Sequence, residues 1–458
     1  MPAFSPRIRG HIDEALTFLK WVLYACNIGL IVGAVAVAFH YGIDWAAQFR
    51  AHQPWVILFL PLGGVVIVLL YRWSGMERDR GTNLVLTAVR EAEPIRLRTA
   101  PLIFLSTILT HLVGGSAGRE GAALQLGGSI GAWVGRKIHL DEKDRRIMVM
   151  CGMSAAFSGL FGTPITAAIF AMEVVSVGVM YYAAIVPCVV SSLVSVQLAR
   201  FFGLHIGTGY LIGNVAVLGP WSMAQVCVMG VLCALLSILF CKVMHAAPKL
   251  YAKYFPNPLV RAAVGGALVL LLTLLVGEQT YNGAGDAVIR RMLAGETISE
   301  AFLLKLVFTA LTLGAGFRGG EIVPVLFTGA AFGTVVGPLL GLSQSFGGAL
   351  GMTAVFCGAT NCPITSILLA YELFTSRGLP LYALCCAISY MLSGYYGLYS
   401  EQKIIYSKFK ATWVDRKAES FPLSTAPFFC STLSSGMVGL GALSMGRSFF
   451  SDLHVTEL

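Results

Sequence analysis

The sequence predicts an all-α, polytopic membrane protein, built from two homologous halves with broken helices that meet at a site inside the membrane. Three observations support this fold class. Hydrophobic residues make up 56% of the 458 residues and charged residues only 12%, whereas soluble domains contain about 25% charged residues. Many apolar stretches reach the length of a spanning helix, about 20 residues. Three short patterns occur twice, in the same order.

The apolar stretches are the candidate membrane helices. In chain order they are Leu16–Tyr41, Trp55–Tyr71, Ala100–Ala117, Ile147–Ala199, Gly209–Val243, Leu259–Val276, Phe302–Gly316, Ile322–Leu342, Phe346–Thr375 and Pro380–Leu398. Several are too long for one crossing and are interrupted by Gly and Pro, so Ile147–Ala199 should hold more than one helix. The polar N-terminal residues do not resemble a cleaved signal peptide.

The formal charge of +9 comes from clusters of Lys and Arg that flank the apolar stretches. Such clusters set the orientation of a protein in the lipid bilayer, and the acids among them argue against nucleic-acid binding. The eleven cysteines form no CxxC pattern, so packing is a better explanation for them than disulfides or a metal site. We expect no metal, no cofactor and no catalytic residue.

The repeated patterns divide the chain into two halves. GTNLVLTAVR at Gly81 is matched by GAGDAVIRRM at Gly283, GSAGREG around Glu120 by GAGFRGGE around Glu321, and TPITAAIFAMEV at Pro164 by CPITSILLAYEL at Pro363. The separation is nearly the same for each pair. We therefore expect an N-terminal half within residues 1–204 and a C-terminal half at 209–407. A short tail at 408–458 would be too small for a soluble regulatory domain. Duplicated halves with broken helices are typical of transporters.

The first glycine-rich stretch is a candidate anion site. It precedes a helix-compatible segment, Gly121–Val134. The N–H groups around Gly118 and Gly121 would lie at the positive end of that helix, where an anion binds without a full positive charge. A fixed lysine would hold an anion too tightly for conduction. Arg119 either contributes positive potential or forms a structural ion pair.

Glu120 is the unusual residue in this stretch. A carboxylate on an anion path repels the anion and is costly to bury, and burial favours its protonated form. When ionised it would occupy the anion site, and when protonated it would leave. Glu120 therefore couples proton and anion occupancy, unless it is held in a buried salt bridge with Arg119.

A hydrolase is a weaker alternative. Gly114–Gly118 fits the G-x-S-x-G pattern of serine hydrolases, but that motif needs a strand–turn–helix context with a histidine and an acid. Here it follows an apolar stretch, and His111 is the nearby histidine. An intramembrane hydrolase is therefore disfavoured.

Three motifs in order resemble the CLC family of chloride channels and anion/proton antiporters. They are GSAGREG, FRGGEIVP at Phe317–Pro324 and KIIYSK at Lys403–Lys408, and the likeness spans Leu16–Lys410. The resemblance implies an all-helical, inverted-repeat homodimer with one anion path in each subunit.

The resemblance also implies site residues. Glu120 matches the external gating glutamate, and the amides around Gly118–Gly121 match the external part of the path. The amides of Ile322 and Val323 would face the central anion. Tyr406 would contact the anion through its hydroxyl.

Departures from the family pattern narrow the assignment. The first loop reads GTNLV, so Thr82 or Asn83 takes the place of a serine. Val174 occupies the position of the internal proton glutamate, one residue after Glu173, to which we assign a packing or polar-network role. Glu321 stands where an apolar residue is usual.

These departures are similar to the fluoride-exporting branch of the family, whose members are fluoride/proton antiporters of bacterial plasma membranes. Glu120 and Glu321 would then form a proton relay, unless Glu321 pairs with Arg318. Ala122 and Val323 replace hydroxyl-bearing residues of that branch, which would relax selectivity toward chloride. A chloride or general anion/proton antiporter is one alternative. A passive chloride channel of the voltage-gated type is another, favoured by Val174 if Glu321 carries no proton.

Overall fold

Helices dominate the computed structural model, which describes residues 6–418 apart from positions 78, 92, 205–209, 211, 375 and 411. The described residues belong to one compact unit, so the two predicted halves are not separate bodies. The helices are α1 Pro6–His52, α2 Leu60–Trp73, α3 Thr82–Glu91, α4 Thr99–Leu112, α5 Glu120–Lys137, α6 Glu142–Phe161, α7 Pro164–Glu173, α8 Ile185–Phe201, α9 Pro220–Tyr254, α10 Pro258–Val276, α11 Asp286–Leu293, α12 Ala301–Gly314, α13 Ile322–Leu339, α14 Gln344–Thr360, α15 Pro363–Phe374 and α16 Leu379–Leu392. From residue 419 onward, the predicted tail lies outside the described residues.

Long and short apolar helices occur together, as expected for a membrane protein with broken helices. Among the described residues, six spans are long and apolar enough to cross a membrane, and they include all or part of α1, α2, α8, α9, α10 and α13. Others, such as α7 with 10 residues and α4 with 14, would reach only about half to two thirds of the way across a bilayer core of about 30 Å. The prediction of a polytopic all-α protein is confirmed.

Two of the predicted long segments break at left-handed residues followed by proline. Ile147–Ala199 contains the end of α6, all of α7 and most of α8, as predicted. Gly162 ends α6 with φ 75° and Asn361 ends α14 with φ 59°, and a proline begins the next helix in each case. Proline is favoured in the first turn of a helix and disfavoured in its interior.

Some predicted boundaries are wrong. Helix α9 begins only at Pro220 and continues to Tyr254, whereas the apolar pattern placed it at Gly209–Val243. Helix α1 extends beyond Leu16–Tyr41 in both directions. Hydropathy marks only the apolar part of a helix, and both helices continue into polar sequence.

Two pairs of equivalent helices in the two halves have the same length, and the halves share a mode of close packing. Helices α4 and α12 have 14 residues each, and α5 and α13 have 18 each. A Cβ at Gly127 of α5 would collide with the carbonyl of Gly152 in α6, and a Cβ at Gly333 of α13 would collide with that of Gly347 in α14. Small residues allow helix backbones to approach this closely inside membranes.

Helices α7 and α15 cap one another. Near the end of α7, Glu173 accepts hydrogen bonds from the N–H groups of Ile364 at 3.1 Å and Thr365 at 2.8 Å, at the start of α15. Near the end of α15, Glu372 accepts from Ile165 and Thr166 at 3.0 and 2.8 Å, at the start of α7. The two helices are therefore antiparallel, as expected for inverted halves.

A small sheet is the main departure from the all-α expectation among the described residues. It contains β1 Ser176–Val177, β2 Lys403–Tyr406 and β3 Trp413–Lys417. Strand β1 pairs parallel with β2, and β2 pairs antiparallel with β3. Because β1 follows α7 directly, the sheet joins the last described residues to the end of α7 in the first half.

Candidate functional site

The two glycine-rich loops meet through their backbones. Gly118 and Gly320 exchange hydrogen bonds of 2.7 Å in both directions, which form an isolated antiparallel bridge. The N–H of Gly118 therefore donates within the protein, so the prediction that it is free to bind an anion is wrong. The bridge brings the starts of α5 and α13 together.

The first amides of both helices face this meeting point. Helix α5 begins at Glu120 and α13 at Ile322, and the first N–H groups of a helix have no acceptor within it. In α5 the first turn includes the amide of Gly121, and in α13 it includes those of Ile322 and Val323, all buried. Two positive helix ends therefore converge on one buried place.

Glu120 is completely buried at the start of α5. Its Oε2 accepts a 3.0 Å hydrogen bond from the N–H of Arg119. Its Oε1 has no hydrogen-bond partner among the described residues. The carboxylate thus folds back over the start of its own helix, where the anion was expected.

Glu321 lies close to the same point. A Cβ at Gly121 would lie 3.4 Å from its Oε2, and this oxygen is also buried without a hydrogen-bond partner in the described structure. The alternative of a pair with Arg318 is wrong, because Arg318 pairs with Asp79 at 3.2 Å and lies 4.1 Å from the ring centre of Tyr71. Two carboxylates therefore flank the meeting point, each with one buried oxygen that accepts no hydrogen bond from the described residues.

Arg119 is shared between three groups. Its Nη1 lies 3.0 Å from Nδ1 of His40, its Nε lies 3.5 Å from Oε1 of Glu120, and its Nη2 lies 4.0 Å from Oδ2 of Asp286. Arg119 is therefore a structural ion-pair residue that also brings positive charge to Glu120.

Thr82 and Asn83 point to different partners. The Thr82 hydroxyl donates to the carbonyl of Gly121 at 3.3 Å and accepts from the amide of Gln125 at 3.4 Å. The Asn83 side chain instead accepts a 3.1 Å hydrogen bond from the N–H of Glu401. Of the two candidates left open by the sequence, Thr82 is the one beside the helix starts.

Tyr406 does not lie at the meeting point, so that prediction is wrong. It is in β2, 45% exposed, with its ring against Trp413. Tyr399 occupies the expected place instead. It is buried, its hydroxyl has no hydrogen-bond partner among the described residues, and it interacts electrostatically with Glu321 and Glu120.

Val174 is buried at the end of α7, where its carbonyl accepts a 3.0 Å hydrogen bond from Gln402. It carries no proton-binding group. The neighbouring Glu173 is occupied in capping α15, and its Oε2 also accepts from the Thr365 hydroxyl at 2.5 Å. The expectation that Glu173 belongs to a polar network agrees with these contacts.

Two further residues escaped the sequence analysis. Gln125 is buried one turn into α5, and its amide also reaches the carbonyl of Gly121, at 3.4 Å. Lys305 is completely buried in α12 and donates to the carbonyls of Tyr281 at 3.1 Å and Gly283 at 2.7 Å. A lone lysine in an apolar helix was the available signal, because such residues mark functional or structural polar sites in membranes.

Comparisons with known proteins show the family of the chain. The family model for voltage gated chloride channels matches residues 62–394. A chloride/fluoride channel protein of Pseudomonas syringae pv. tomato is 35% identical over 396 residues, which cover 85% of this chain and 87% of the relative. An H(+)/Cl(-) exchange transporter ClcA of Yersinia pestis bv. Antiqua (strain Angola) is 25% identical, covering 80% of this chain and 82% of the relative.

Solved structures of similar proteins have the same fold. A crystal structure of a CLC-type fluoride/proton antiporter superposes with a TM-score of 0.81 at 34% identity, covering 84% of this chain and 98% of that one. A slow cyanobacterial Cl-/H+ antiporter superposes with a TM-score of 0.68 at 17% identity, covering 82% and 94%, and supports the fold alone. With its family model matched over most of its length and its helices superposed on those of solved members, this multi-pass membrane protein belongs to the voltage-gated chloride channel family, the CLC family.

Proposed function

We propose that the protein is a fluoride/proton antiporter that exports fluoride across a bacterial plasma membrane. One observation carries the proposal: two buried carboxylates, Glu120 and Glu321, flank a point at which two helix N-termini converge, and each has one oxygen without a hydrogen-bond partner among the described residues. The convergent amides can bind an anion, and the carboxylate oxygens that accept no hydrogen bond can bind protons.

The coupling follows from competition for the same amides. An ionised Glu120 occupies the start of α5, where its Oε2 already accepts the N–H of Arg119. An unpaired, buried, ionised oxygen is costly, so a proton is taken up readily at Oε1. The neutral side chain then leaves the amides to the anion. Glu321 is the second carboxylate that carries a proton in this proposal, because Val174 has no proton-binding group.

The anion would be held by donors without full charges. Those available are the amides of Gly121, Ile322 and Val323 and the hydroxyl of Tyr399, whereas the Thr82 hydroxyl beside them donates to the carbonyl of Gly121. Fluoride is small and accepts strong hydrogen bonds, so compact donors of this kind suit it. Two similar proteins are named for fluoride, a chloride/fluoride channel protein at 35% identity and a CLC-type fluoride/proton antiporter at 34%.

Two alternatives belong to the same family. A chloride or general anion/proton antiporter is favoured by the absence of a hydroxyl at Ala122 and Val323, since fewer donors discriminate less against a larger, weakly hydrated anion. A passive channel is favoured by Val174, if Glu321 carries no proton. A serine hydrolase is not a third alternative, because the Ser116 hydroxyl is bound to the Thr309 hydroxyl at 3.1 Å.

We further propose that the protein is a homodimer through α7 and α15. Ile165, Ile364 and Tyr371 on these helices are 45%, 48% and 45% exposed, and the half-buried Glu372, whose carboxylate accepts from Ile165, lies beside them. A second copy would cover this face and shield Glu372 from lipid. Bacterial relatives support the plasma membrane as its location.

The test uses purified protein in liposomes with a fluoride electrode outside and a pH-sensitive dye inside. A fluoride gradient should drive protons uphill in the opposite direction, with chloride moving much more slowly. Glu120→Gln and Glu321→Gln should each abolish proton movement. The exposed Glu278→Gln is the matched control and should transport like the wild type.

Two results would overturn the assignment. Chloride exchanged as fast as fluoride, with proton movement, would establish the general-anion antiporter. Anion flux without proton movement in the wild type would establish the channel and remove any proton-coupling role for Glu120 and Glu321.

A further inference from the structure

The contact between His40 and Arg119 fixes the protonation of the histidine. Arg119 Nη1 lies 3.0 Å from Nδ1 of His40. A guanidinium has only donors, so Nδ1 has to be the acceptor and carries no proton. His40 is therefore neutral in this structure, with its proton on Nε2. A protonated His40 would place an N–H against an N–H and break the bond.

Arg119 stops just short of a hydrogen bond with Glu120. Nε of Arg119 lies 3.5 Å from Oε1 of Glu120, and both atoms are buried without a hydrogen-bond partner among the described residues. This distance is just beyond a normal hydrogen-bond distance of about 2.9 Å. Two other groups contact the guanidinium: His40 lies 3.0 Å from Nη1, and Asp286 lies 4.0 Å from Nη2.

We propose that His40 is a positioning residue that keeps Arg119 off the Glu120 carboxylate, and that a proton on His40 lets Arg119 close onto it. This inference rests on the proposed proton-coupled function. With neutral His40, Oε1 of Glu120 stays unpaired and open to a proton. With protonated His40, repulsion drives Arg119 toward Glu120 and Asp286, and the ionised carboxylate stays over the amides. Acid at this face of the protein then slows transport instead of speeding it.

Charges of both signs surround His40. Arg119, from the start of α5, brings a positive charge, and Asp44 on its own helix and Asp286 on α11 bring negative charges. Helices α4, α6 and α8 also pack on α1, and none of their described residues adds a charge that acts on His40. The side chain is half-buried, so the protein does not enclose the ring completely.

Fluoride turnover in liposomes, with equal pH on both sides, tests the proposal. The variants are His40→Asn, whose amide oxygen replaces Nδ1 as a permanent neutral acceptor, and His40→Lys, which carries a permanent charge. His52→Asn on the same helix is the control, because His52 is exposed and its Nδ1 contacts only the carbonyl of Gln48. Arg119→Met, alone and with His40→Asn, completes a double-mutant cycle.

Wild-type turnover should fall as the pH is lowered, by on the order of 5-fold or more, the lower end of measured couplings between sites. His40→Asn should lose this fall, His40→Lys should be slow at every pH, and His52→Asn should follow the wild type. In the Arg119→Met background, His40→Asn should have no further effect on the pH profile. Equal pH profiles for the wild type and His40→Asn, or an effect of His40→Asn that survives Arg119→Met, would overturn the proposal.

Nitrogen-15 NMR of labelled histidine gives a readout that does not depend on transport. The His40 signal, assigned by its loss in His40→Asn, should show an unprotonated Nδ1 that shifts in Arg119→Met. A protonated Nδ1 would refute the geometry directly. If wild-type protein moves no fluoride while the NMR result holds, the proposed function fails and the His40–Arg119 contact stands.

Discussion

Replacing Gly320 by alanine should separate the two loops that form the candidate site. A Cβ at Gly320 would lie 2.5 Å from the amide nitrogen of Gly121 and 3.1 Å from that of Glu120. Both contacts are with backbone at the start of α5, which cannot rotate away as the end of a side chain can. The start of α5 would have to move, and with it the amide of Gly121.

The expected loss has two parts. Overpacking a well-packed interior costs about 1–3 kcal/mol. The two reciprocal bonds between Gly118 and Gly320 contribute about 1 kcal/mol each, and the displacement weakens both. Gly320→Ala should therefore lower the free energy of unfolding by about 2–5 kcal/mol. Because a misplacement of about 1 Å can reduce a rate by about 100-fold, fluoride turnover should fall by a similar factor in protein that remains folded.

Thermal unfolding in detergent measures the first effect, and fluoride efflux from liposomes measures the second in the folded fraction. Gly219→Ala is the matched control, since a Cβ there meets no atom within 4 Å and its φ of −163° is accessible to any residue. If Gly320→Ala unfolded and transported like Gly219→Ala, the close contact between the loops would not exist as described.

Three further substitutions test other parts of the structure. Lys305→Met leaves two backbone carbonyls without a donor and should lower the free energy of unfolding by about 2–4 kcal/mol. Thermal unfolding measures this loss, with the exposed Lys249→Met as the control. Equal stability of the two variants would contradict a stabilising role for Lys305. Tyr399→Phe should weaken fluoride binding by about 5- to 10-fold, which corresponds to one hydrogen bond of about 1–1.5 kcal/mol. Calorimetry measures the binding, and Tyr406→Phe should bind fluoride like the wild type. Weaker binding in Tyr406→Phe and not in Tyr399→Phe would support the prediction made from the sequence. Glu173→Gln should lower the free energy of unfolding by about 1.5–3 kcal/mol, because it weakens the cap of α15. The ratio of fluoride ions to protons exchanged should stay the same. A changed ratio would place Glu173 on the proton path.

The part of the fold that the sequence predicts is the part set by local chemistry. Runs of glycine before an apolar segment predict a helix start, and α5 and α13 begin within a residue of Glu120 and Glu321. The repeated pattern then predicts that both starts serve one site, because duplicated halves of transporters meet at the midplane. The proximity of the two carboxylates required no other information.

The part that could not be predicted depends on partners distant in sequence. Tyr399 and Tyr406 lie in one tyrosine-containing segment, and neither hydropathy nor spacing predicts which ring points inward. Tyr406 lies in β2, which pairs with β3, and this pairing places Tyr406 away from the site. Arg318 lies close to Glu321 in sequence, which suggested a pair. Asp79, from the other half of the chain, is its partner instead.

The two halves have equivalent helices, but their glutamates differ in position relative to the start of the helix. This difference gives the two carboxylates different surroundings. Glu120 is the first residue of α5, whereas Glu321 directly precedes α13. Glu120 therefore folds over its own helix start beside Arg119, while Glu321 has no ion-pair partner among the described residues. The charge state of a buried carboxylate depends on its burial, its hydrogen bonds and the cations near it. In the proposed proton relay, the position of Arg119 therefore acts on Glu120, and no ion pair among the described residues acts on Glu321 in the same way.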